Sequence, residues 1–297
     1  MSSQSLTDHD EPSPAGFKKT YRSVFFGFLD ILGFGDIVRS TEHNRLEHLY
    51  LTLPAQLDGA LAGERYVAVG GNARTLRFLP DIDKATVNSL LVSDSIMLWT
   101  NTESMRAFFN ILTAVRDLMI SALVHGMPLR GAISRGPLTL LTGRSSTKRL
   151  IFQHTLFGKP IVEAANAEKV QEWSGCIITP TAMEPYLARN SRPLSSVPPP
   201  ARSDETALMC IFKRLLLRRY PVPIKTAEGR IVTDEQYVVN WAYGGLNSVY
   251  VDEVTEAFTM HGKSVVDPRI KSKMENTIKF VRHVNPKADR ASYKESR

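Results

Sequence analysis

Two aspartates stand where an apolar run ends and where a short turn is expected. Asp30 closes the apolar run at residues 24–29, and a turn containing Gly33 and Gly35 follows it. A carboxylate in such a run is costly to bury unless it is hydrogen-bonded, paired or bound to a cation. The glycines let the backbone approach a ligand closely, and turn carbonyls can add oxygen ligands for a metal ion. An aspartate that only caps the turn through backbone amides is the alternative.

The second aspartate, Asp94, lies at the tip of a predicted hairpin, between apolar residues 90–92 and 96–99. Aspartate is common in hairpin turns, so this position alone says little about function. Two carboxylates held at one edge of a sheet can, however, bridge two divalent cations about 3.5–4 Å apart, as in-line displacement at phosphorus requires. The chemistry of the pair therefore depends on whether the fold brings the two turns together.

The order of the surrounding elements predicts that it does. We expect a strand at residues 21–30, a helix from Ser40 or Thr41 to about Leu61, two strands within 88–100, a helix across 108–122 and a strand at 129–133. The aromatic and β-branched content marks the strands, and apolar residues at helical spacing mark the helices. This order predicts an α/β (α+β) fold with a ferredoxin-like β-α-β-β-α-β core. In such a core the end of the first strand and the turn of the central hairpin are neighbours.

The remaining chain extends this core. We expect a strand near 150–153, a helix near 160–173, strands at 176–179, 207–220 and 236–243, and mostly helix after that. Prolines at 193 and 198–200 indicate a loop near 190–204. Three regions follow from this reading: a disordered lead-in at 1–18, a catalytic domain at 19–245 and a basic helical extension at 246–297.

Composition narrows the class of protein. The two cysteines, Cys176 and Cys210, lie in apolar runs and argue for core positions in a reducing cytoplasm rather than for a disulfide scaffold. The longest apolar runs are too short to predict an integral membrane segment. Six of the seven excess positive charges lie in residues 268–297, where nine basic residues face three acidic ones. A docked amphipathic helix explains that tail without a nucleic-acid partner, and attraction of an anionic nucleotide or a partner surface is the alternative.

Four segments, in this order, resemble the class III nucleotidyl cyclases. They are Phe-Leu-Asp-Ile-Leu-Gly-Phe at 28–34, Val-Ser-Asp-Ser at 92–95, Leu-Arg-Gly-Ala-Ile at 129–133 with Gly136, and Phe-Gly-Lys-Pro-Ile-Val-Glu-Ala-Ala at 157–165. The resemblance implies that Asp30, Asp94 and the carbonyl of Ile31 bind two divalent cations, Mn²⁺ or Mg²⁺. It also implies that residues 26–34, beginning with Phe26, line the side of the substrate that carries the triphosphate.

Two departures from that family pattern concern the base and the transition state. Purine cyclases carry a base-reading lysine where this chain has Ser89 and Leu90. They also carry an Asn and an Arg in a Val-Asn-x-Ala-x-Arg run, and the matching stretch here, Ile-Val-Glu-Ala-Ala-Asn at 161–166, replaces both side chains. The combination resembles the uridylate and cytidylate cyclases of bacterial Pycsar anti-phage signalling. That resemblance implies a cytoplasmic homodimer with sites at its interface. It also implies a reaction that converts UTP or CTP into the 3′,5′-cyclic monophosphate, with UTP favoured.

Three further residues are candidates for substrate binding. Tyr50, on the first predicted helix, would narrow the pocket for a pyrimidine, and core packing is its alternative role. Arg130 and Arg135 flank a predicted strand end and would meet phosphate, unless each only forms a surface ion pair. Two other functions stay open, a divergent adenylate or guanylate cyclase and a cyclase-like module that binds nucleotide without turnover.

Overall fold

The computed structural model describes residues 11–13, 16–63, 65–70, 77–143, 154–190, 215–243 and 248–290. Its strands are β1 (Glu11–Ser13), β2 (Gly16–Ile31), β3 (Tyr66–Val69), β4 (Arg77–Pro80), β5 (Val87–Val92), β6 (Ser95–Thr100), β7 (Leu129–Gly143), β8 (His154–Phe157), β9 (Cys176–Ile178), β10 (Leu217–Lys225) and β11 (Ile231–Val239). Its helices are α1 (Phe34–Ser40), α2 (His43–Ala62), α3 (Met105–Val124), α4 (Lys159–Lys169), α5 (Pro180–Asn190), α6 (Val251–Thr259) and α7 (Pro268–Val284).

One large, mostly antiparallel sheet organises the chain. Its strands lie in the order β10-β11-β9-β7-β2-β6-β5, with β1 paired to β2 and β8 paired to β7. Only the β7–β9 pair within this described sheet is parallel. The sequence β2, α1 and α2, β5, β6, α3, β7 is the predicted β-α-β-β-α-β unit, and the expected mixed α/β fold is confirmed.

The core of the sheet forms between β2 and α3. Phe25 of β2 packs on Phe108 of α3 with their ring centroids 5.0 Å apart, and both side chains are fully buried. The Ser104 hydroxyl caps α3 by accepting a hydrogen bond from the Ala107 N–H. Within the described residues, α3 is the one helix whose length and apolar composition would suit a membrane span, but 61% of that window is buried inside the fold. Burial of this kind is typical of a core helix.

Several predicted boundaries need correction. The predicted cap at Ser40 or Thr41 is wrong, because Ser40 instead ends the short helix α1 and α2 begins at His43. The predicted lead-in is too long, since residues 11–13 and 16–18 form strands β1 and β2. Residues 1–10 and 14–15, the strand expected near 150–153 and the loop at 191–204 lie outside the described part of the chain.

Other elements differ in length from the prediction. Strand β7 runs to Gly143 instead of stopping at Ile133, because β2 and β8 both pair with its second half. Helix α4 ends at Lys169, and the next residues form a turn in which Trp173 packs on Tyr220. The strands expected at 207–220 and 236–243 are displaced and form the hairpin of β10 and β11, with residues 207–214 not described.

The last two helices pack against the body of the sheet. Phe280 of α7 lies edge-on to Trp173, with centroids 4.8 Å apart, and the Thr277 hydroxyl accepts a hydrogen bond from the Ser174 N–H at 2.8 Å. The buried ammonium of Lys263, in the loop before α7, donates to the carbonyl of Gly126 and, at 2.6 Å, to that of Ala257. These buried contacts fix residues 263–280 to the end of α3 and to the segment before β9.

Candidate active site

The fold brings the two aspartates to one edge of the sheet. Asp30, the penultimate residue of β2, lies opposite Ser95 of β6, and the adjacent Ile31 N–H donates a hydrogen bond to the Asp94 carbonyl at 3.2 Å. Asp94 occupies a two-residue turn between β5 and β6, in which Ser93 adopts a left-handed conformation with φ of 57°. The strand end and the hairpin turn are therefore joined directly through the backbone, as the order of the elements predicted.

The alternation of side chains along β2 determines which residues share a face of the strand with Asp30. Phe26 and Phe28 lie on the same face of the strand as Asp30, because side chains alternate along a strand. Phe26 is completely buried, between Trp99 of β6 and Ser134 of β7 in the sheet register. The Phe26 side chain therefore belongs to the core, so the predicted contact of this residue with substrate would have to be made by its backbone. The Ile31 side chain is also buried, so its carbonyl is its candidate ligand group.

The surroundings of Asp30 disfavour the negatively charged form of its carboxyl group. Its side chain is 25% exposed, and it accepts no hydrogen bond from a described residue. Burial, and then the negative charges of Glu168 and Asp94, raise the pKa of Asp30 to about 6, against the opposing effect of Arg130. A divalent cation would relieve this crowding of carboxylates, and carboxylate oxygens are ligands that Mg²⁺ and Mn²⁺ prefer. The residues present therefore fit the predicted metal ions.

Arg130 lies directly across the sheet from Asp30, and its guanidinium is held from two sides. It forms an ion pair with Glu168 of α4, and its Nη1 donates to the Gln171 carbonyl at 2.9 Å. Its Nη2 lies 4.0 Å from Asp30 Oδ2. With 12% of its side chain exposed, Arg130 keeps a positive charge fixed beside the aspartate pair.

Arg135 lies elsewhere. It pairs in register with Phe25, five residues along β2 from Asp30, which places it about 16 Å from the aspartates at the usual strand rise. Its guanidinium donates to Glu103 at 2.6 Å, to Glu184 at 2.5 Å and to the Thr181 carbonyl at 2.9 Å. Within this chain the structure does not bring Arg135 together with the other candidates, and the predicted alternative of an ion pair describes it.

Tyr50 of α2 reaches the turn that carries Asp94. Its hydroxyl lies 3.5 Å from the Ser93 carbonyl, and its ring meets Phe34 edge-on with centroids 5.8 Å apart. Burial and the nearby charge of Asp94 raise the pKa of its hydroxyl. A small apolar cavity beside it, lined by residues that include Ile31, Leu46 and Met127, has no room for a base. Tyr50 thus packs on one side against apolar residues and reaches, through its hydroxyl, the turn that carries Asp94.

Two ionisable residues near the aspartates were not predicted. Glu168 pairs with Arg130 and is itself buried, which raises the pKa of its carboxyl. Lys273 of α7 is near enough to act electrostatically on Asp30 and Arg130, and burial lowers the pKa of its ammonium. The sequence gives no signal that joins residue 273 to residue 30, because that proximity depends on how α7 docks.

The part of the chain that the structure describes contains no group of three or more His, Cys, Asp or Glu side chains suited to a metal ion. A metal held by Asp30 and Asp94 would therefore complete its coordination with backbone carbonyls, water or a ligand's own oxygens. This composition is typical of sites where the substrate brings part of the coordination shell.

Comparison with known proteins gives matches in structure only. No family model matches the chain, and no curated protein sequence is similar to it. Among solved structures it is similar to the adenylyl cyclase CyaB from P. aeruginosa (14% identity, 75% of this chain and 95% of that chain, TM-score 0.42). It is also similar to the guanylate cyclase domain of RhGC from Catenaria anguillulae in complex with GTP (14% identity, 74% and 97% covered, TM-score 0.43). Similarity at this level establishes neither a family nor an activity for this chain.

Proposed function

We propose that this chain is a nucleotidyl cyclase of the class III type. It converts UTP, or CTP as the second choice, into the 3′,5′-cyclic monophosphate and pyrophosphate. The observation that carries the proposal is the meeting of Asp30 and Asp94 at one sheet edge, linked through the Ile31–Asp94 hydrogen bond and faced by Arg130. The resemblance of the four ordered sequence segments supplies the reaction.

The metal-binding part of the proposal rests on oxygen donors. The carboxylates of Asp30 and Asp94 and the carbonyl of Ile31 would hold two divalent cations, Mg²⁺ or Mn²⁺. When bound, the cations would lower the pKa of the ribose 3′-hydroxyl and neutralise charge on the departing pyrophosphate. The raised pKa of Asp30 agrees with this role, because a carboxylate lacking other partners gains most from a cation.

The chain's own residues then position the substrate. The 3′-oxygen attacks the α-phosphorus, the bond from that phosphorus to the β-phosphate oxygen breaks, and the hydroxyl proton is released to water. No protein nucleophile is needed. Arg130, held by Glu168 and the Gln171 carbonyl, presents a fixed charge to the phosphates, and preorganised charge of this kind stabilises the transition state without reorganisation.

Base selection is assigned to Tyr50. Its hydroxyl reaches the turn that carries Asp94, so its ring stands at the edge of the proposed site, where a large aromatic would leave less room for a purine than for a pyrimidine. Ser89 and Leu90 of β5, which stand where purine cyclases carry a lysine, offer no cation to read a purine edge. UTP is preferred over CTP on the resemblance alone.

The assembly and setting belong to the same proposal. Two copies of the chain would pair with their sites at the interface, in the cytoplasm, and make a second messenger during defence against phage. The division into a catalytic domain at 19–245 and a basic extension at 246–297 also stays a proposal. The signalling role is tested by measuring cyclic nucleotide after phage infection, in cells with wild-type protein and cells with Asp94→Asn.

The activity is tested by incubating purified protein with each of the four ribonucleoside triphosphates and Mn²⁺, and separating the products by chromatography. We expect a cyclic product from UTP or CTP, and none from Asp94→Asn. Product from ATP or GTP would instead indicate a divergent purine cyclase. No product from any triphosphate, at a protein concentration that favours dimers, would leave a binding module as the better description.

A further inference from the structure

The last helix brings a lysine to the proposed active site. Asn276 of α7 donates to the Glu172 carbonyl at 2.9 Å, and Thr277 accepts from the Ser174 N–H. Lys273 lies three and four residues before these anchors, so it shares their face of the helix. The Ser174 hydroxyl in turn donates at 2.7 Å to the Leu129 carbonyl, next to Arg130. The docked face of α7 therefore points Lys273 towards the Arg130 end of β7.

The side chain of Lys273 is half-buried, and its ammonium lacks a close partner. It forms no hydrogen bond and no ion pair with any residue that the structure describes. Glu172, Glu168 and Asp30 attract it from a longer distance, and Arg130 repels it. Lys263, which is buried, differs because two carbonyls accept from its ammonium. A half-buried cation without a close partner is partly desolvated, so an anion that binds beside it gains more than it would at the surface.

The protein's own anions attract Lys273 only from beyond ion-pair distance. Glu168 is paired with Arg130, and Asp30 lies 4.0 Å from the same guanidinium. The backbone of Glu172 is fixed, since its N–H donates to the Pro223 carbonyl and its carbonyl accepts from Asn276, and its carboxylate forms no ion pair with Lys273. The Lys273 ammonium is therefore left without an anion in ion-pair contact, near the arginine that lies beside Asp30.

We propose that Lys273 is a further substrate-binding residue, whose ammonium contacts the phosphate oxygens of the triphosphate together with Arg130. This assignment deepens the proposed function and rests on it for the identity of the substrate. It makes the last helix a part of the site, because the anchors at Asn276 and Thr277 set the position of the ammonium. The ligand chemistry is a di- or triphosphate, and the base plays no part in this contact.

The test uses inorganic pyrophosphate with Mg²⁺ as the probe, titrated calorimetrically into the full chain. Lys273→Met keeps the length of the stem and removes the charge, so we expect its dissociation constant to rise roughly tenfold, the usual worth of a hydrogen bond to a charged group. Lys273→Arg should restore binding to within about threefold, because it keeps the cation. Lys271→Met, an exposed position two residues away on the same helix, should bind as the wild type does.

Thermal unfolding of each variant separates binding from folding. Lys273→Gln serves as the second variant if Lys273→Met unfolds at a lower temperature. Pyrophosphate binding by a folded Lys273→Met or Lys273→Gln protein that equals wild type would overturn the inference, as would a wild-type protein that binds no pyrophosphate.

The same preparations are assayed for cyclic product, which distinguishes the two proposals. A wild-type protein that cyclises a triphosphate but binds pyrophosphate independently of Lys273 would keep the proposed function and remove the lysine from it. A protein whose pyrophosphate binding depends on Lys273 but which cyclises none of the four triphosphates would keep the anion site and overturn the function.

Discussion

Beyond the bulge in β2, residues 24–31 pair with residues 129–136 of β7, and the two ends of this ladder hold charged residues in opposite states. At one end, Arg135 is surrounded by acceptors, with Glu103, Glu184 and the Thr181 carbonyl all in hydrogen-bonding distance. At the other, the ion-pair partner of Asp30 among the described residues is Arg130, at 4.0 Å, and Asp30 shares that arginine with Glu168. One end is electrostatically satisfied within the chain, and the other is left with interactions to make.

The difference teaches how to separate structural charges from candidate functional ones in this fold. Charged groups with complete sets of partners stabilise the structure modestly and have no need of a ligand. A partly buried carboxylate crowded by others, as Asp30 is by Glu168 and Asp94, keeps a raised pKa unless a cation joins it. Neutralising one residue at each end, and comparing the results, is therefore the most direct test.

The largest expected effect is on turnover. Asp30→Asn and Asp94→Asn should each lower kcat by on the order of a thousandfold, since each removes a charge that positions the reacting groups. Glu103→Gln, at the satisfied end, should leave kcat within about twofold of wild type. The assay measures cyclic nucleotide formed from UTP and CTP with Mn²⁺. An equal loss of kcat in Glu103→Gln would contradict the distinction between the two ends, because it would reflect general damage to the sheet.

Replacing Arg130 or Arg135 by methionine compares how much each end of the ladder contributes to the free energy of unfolding. Arg130→Met should lower the free energy of unfolding by about 2–3 kcal/mol at neutral pH, because Glu168 would then be buried without a partner. Arg135→Met should cost about 1 kcal/mol or less, since Glu103 and Glu184 are exposed enough for water to solvate them. Urea unfolding of both variants gives the values, and a larger loss for Arg135→Met would contradict the comparison.

The pH dependence of stability tests whether the charge of Asp30 destabilises the folded protein. Its pKa in the folded protein is raised to about 6, so the folded state holds its proton more tightly than the unfolded state does. This contribution to stability is complete below about pH 4 and is lost as the pH rises through about 6. Asp30→Asn should therefore stabilise the metal-free protein by about 1–2 kcal/mol at pH 8 and change little near pH 4.

Guanidinium or urea unfolding of wild type and Asp30→Asn at several pH values, with a chelator present, measures that difference. Adding Mg²⁺ should then stabilise wild type but not Asp30→Asn, because only the wild type offers the paired carboxylates. A variant that is less stable than wild type at pH 8 would show that Asp30 is a favourable structural charge.

The smallest effect concerns the choice of base. Tyr50→Ala should reduce the preference for UTP over ATP by roughly tenfold or less, as the loss of one packing contact in a pocket typically does. The exposed Tyr66 of β3 provides the matched control, and Tyr66→Ala should leave the preference unchanged. The ratio of kcat/KM for the two triphosphates is the measurement. If Tyr50→Ala discriminates between UTP and ATP as wild type does, Tyr50 has only a packing role.

The elements nearest the aspartates were predictable because their patterns are strong. Strand β2, the β5–β6 hairpin and α3 follow the alternation or the helical spacing that burial imposes. Helix α1 was missed because it has only seven residues and contains a glycine. Helix α5 was missed because it begins at one proline and contains a second, Pro185, which is unusual inside a helix.

The candidate site divides in the same way. The meeting of Asp30 and Asp94 follows from the order of local elements, whereas their role as ligands stays a prediction. The neighbours that set their charge, Glu168 and Lys273, depend on how α4 and α7 dock, and such long-range packing leaves no local pattern in a sequence. The burial of the Phe26 side chain was not predictable, because an aromatic residue before an aspartate gives the same sequence pattern whether it faces a ligand or the core.

The docking of α7 has a consequence for the order in which the protein is made. Ribosomes deliver the chain from its N-terminus, so Asp30, Asp94 and Arg130 emerge well before Thr277 and the Lys263 loop. Until then the Ser174 N–H has no Thr277 hydroxyl to meet, and the Gly126 carbonyl at the end of α3 has no ammonium. A nascent chain, or one terminated before residue 263, thus carries the acidic pair without the segment that braces it, and that bracing forms only once α7 has been translated.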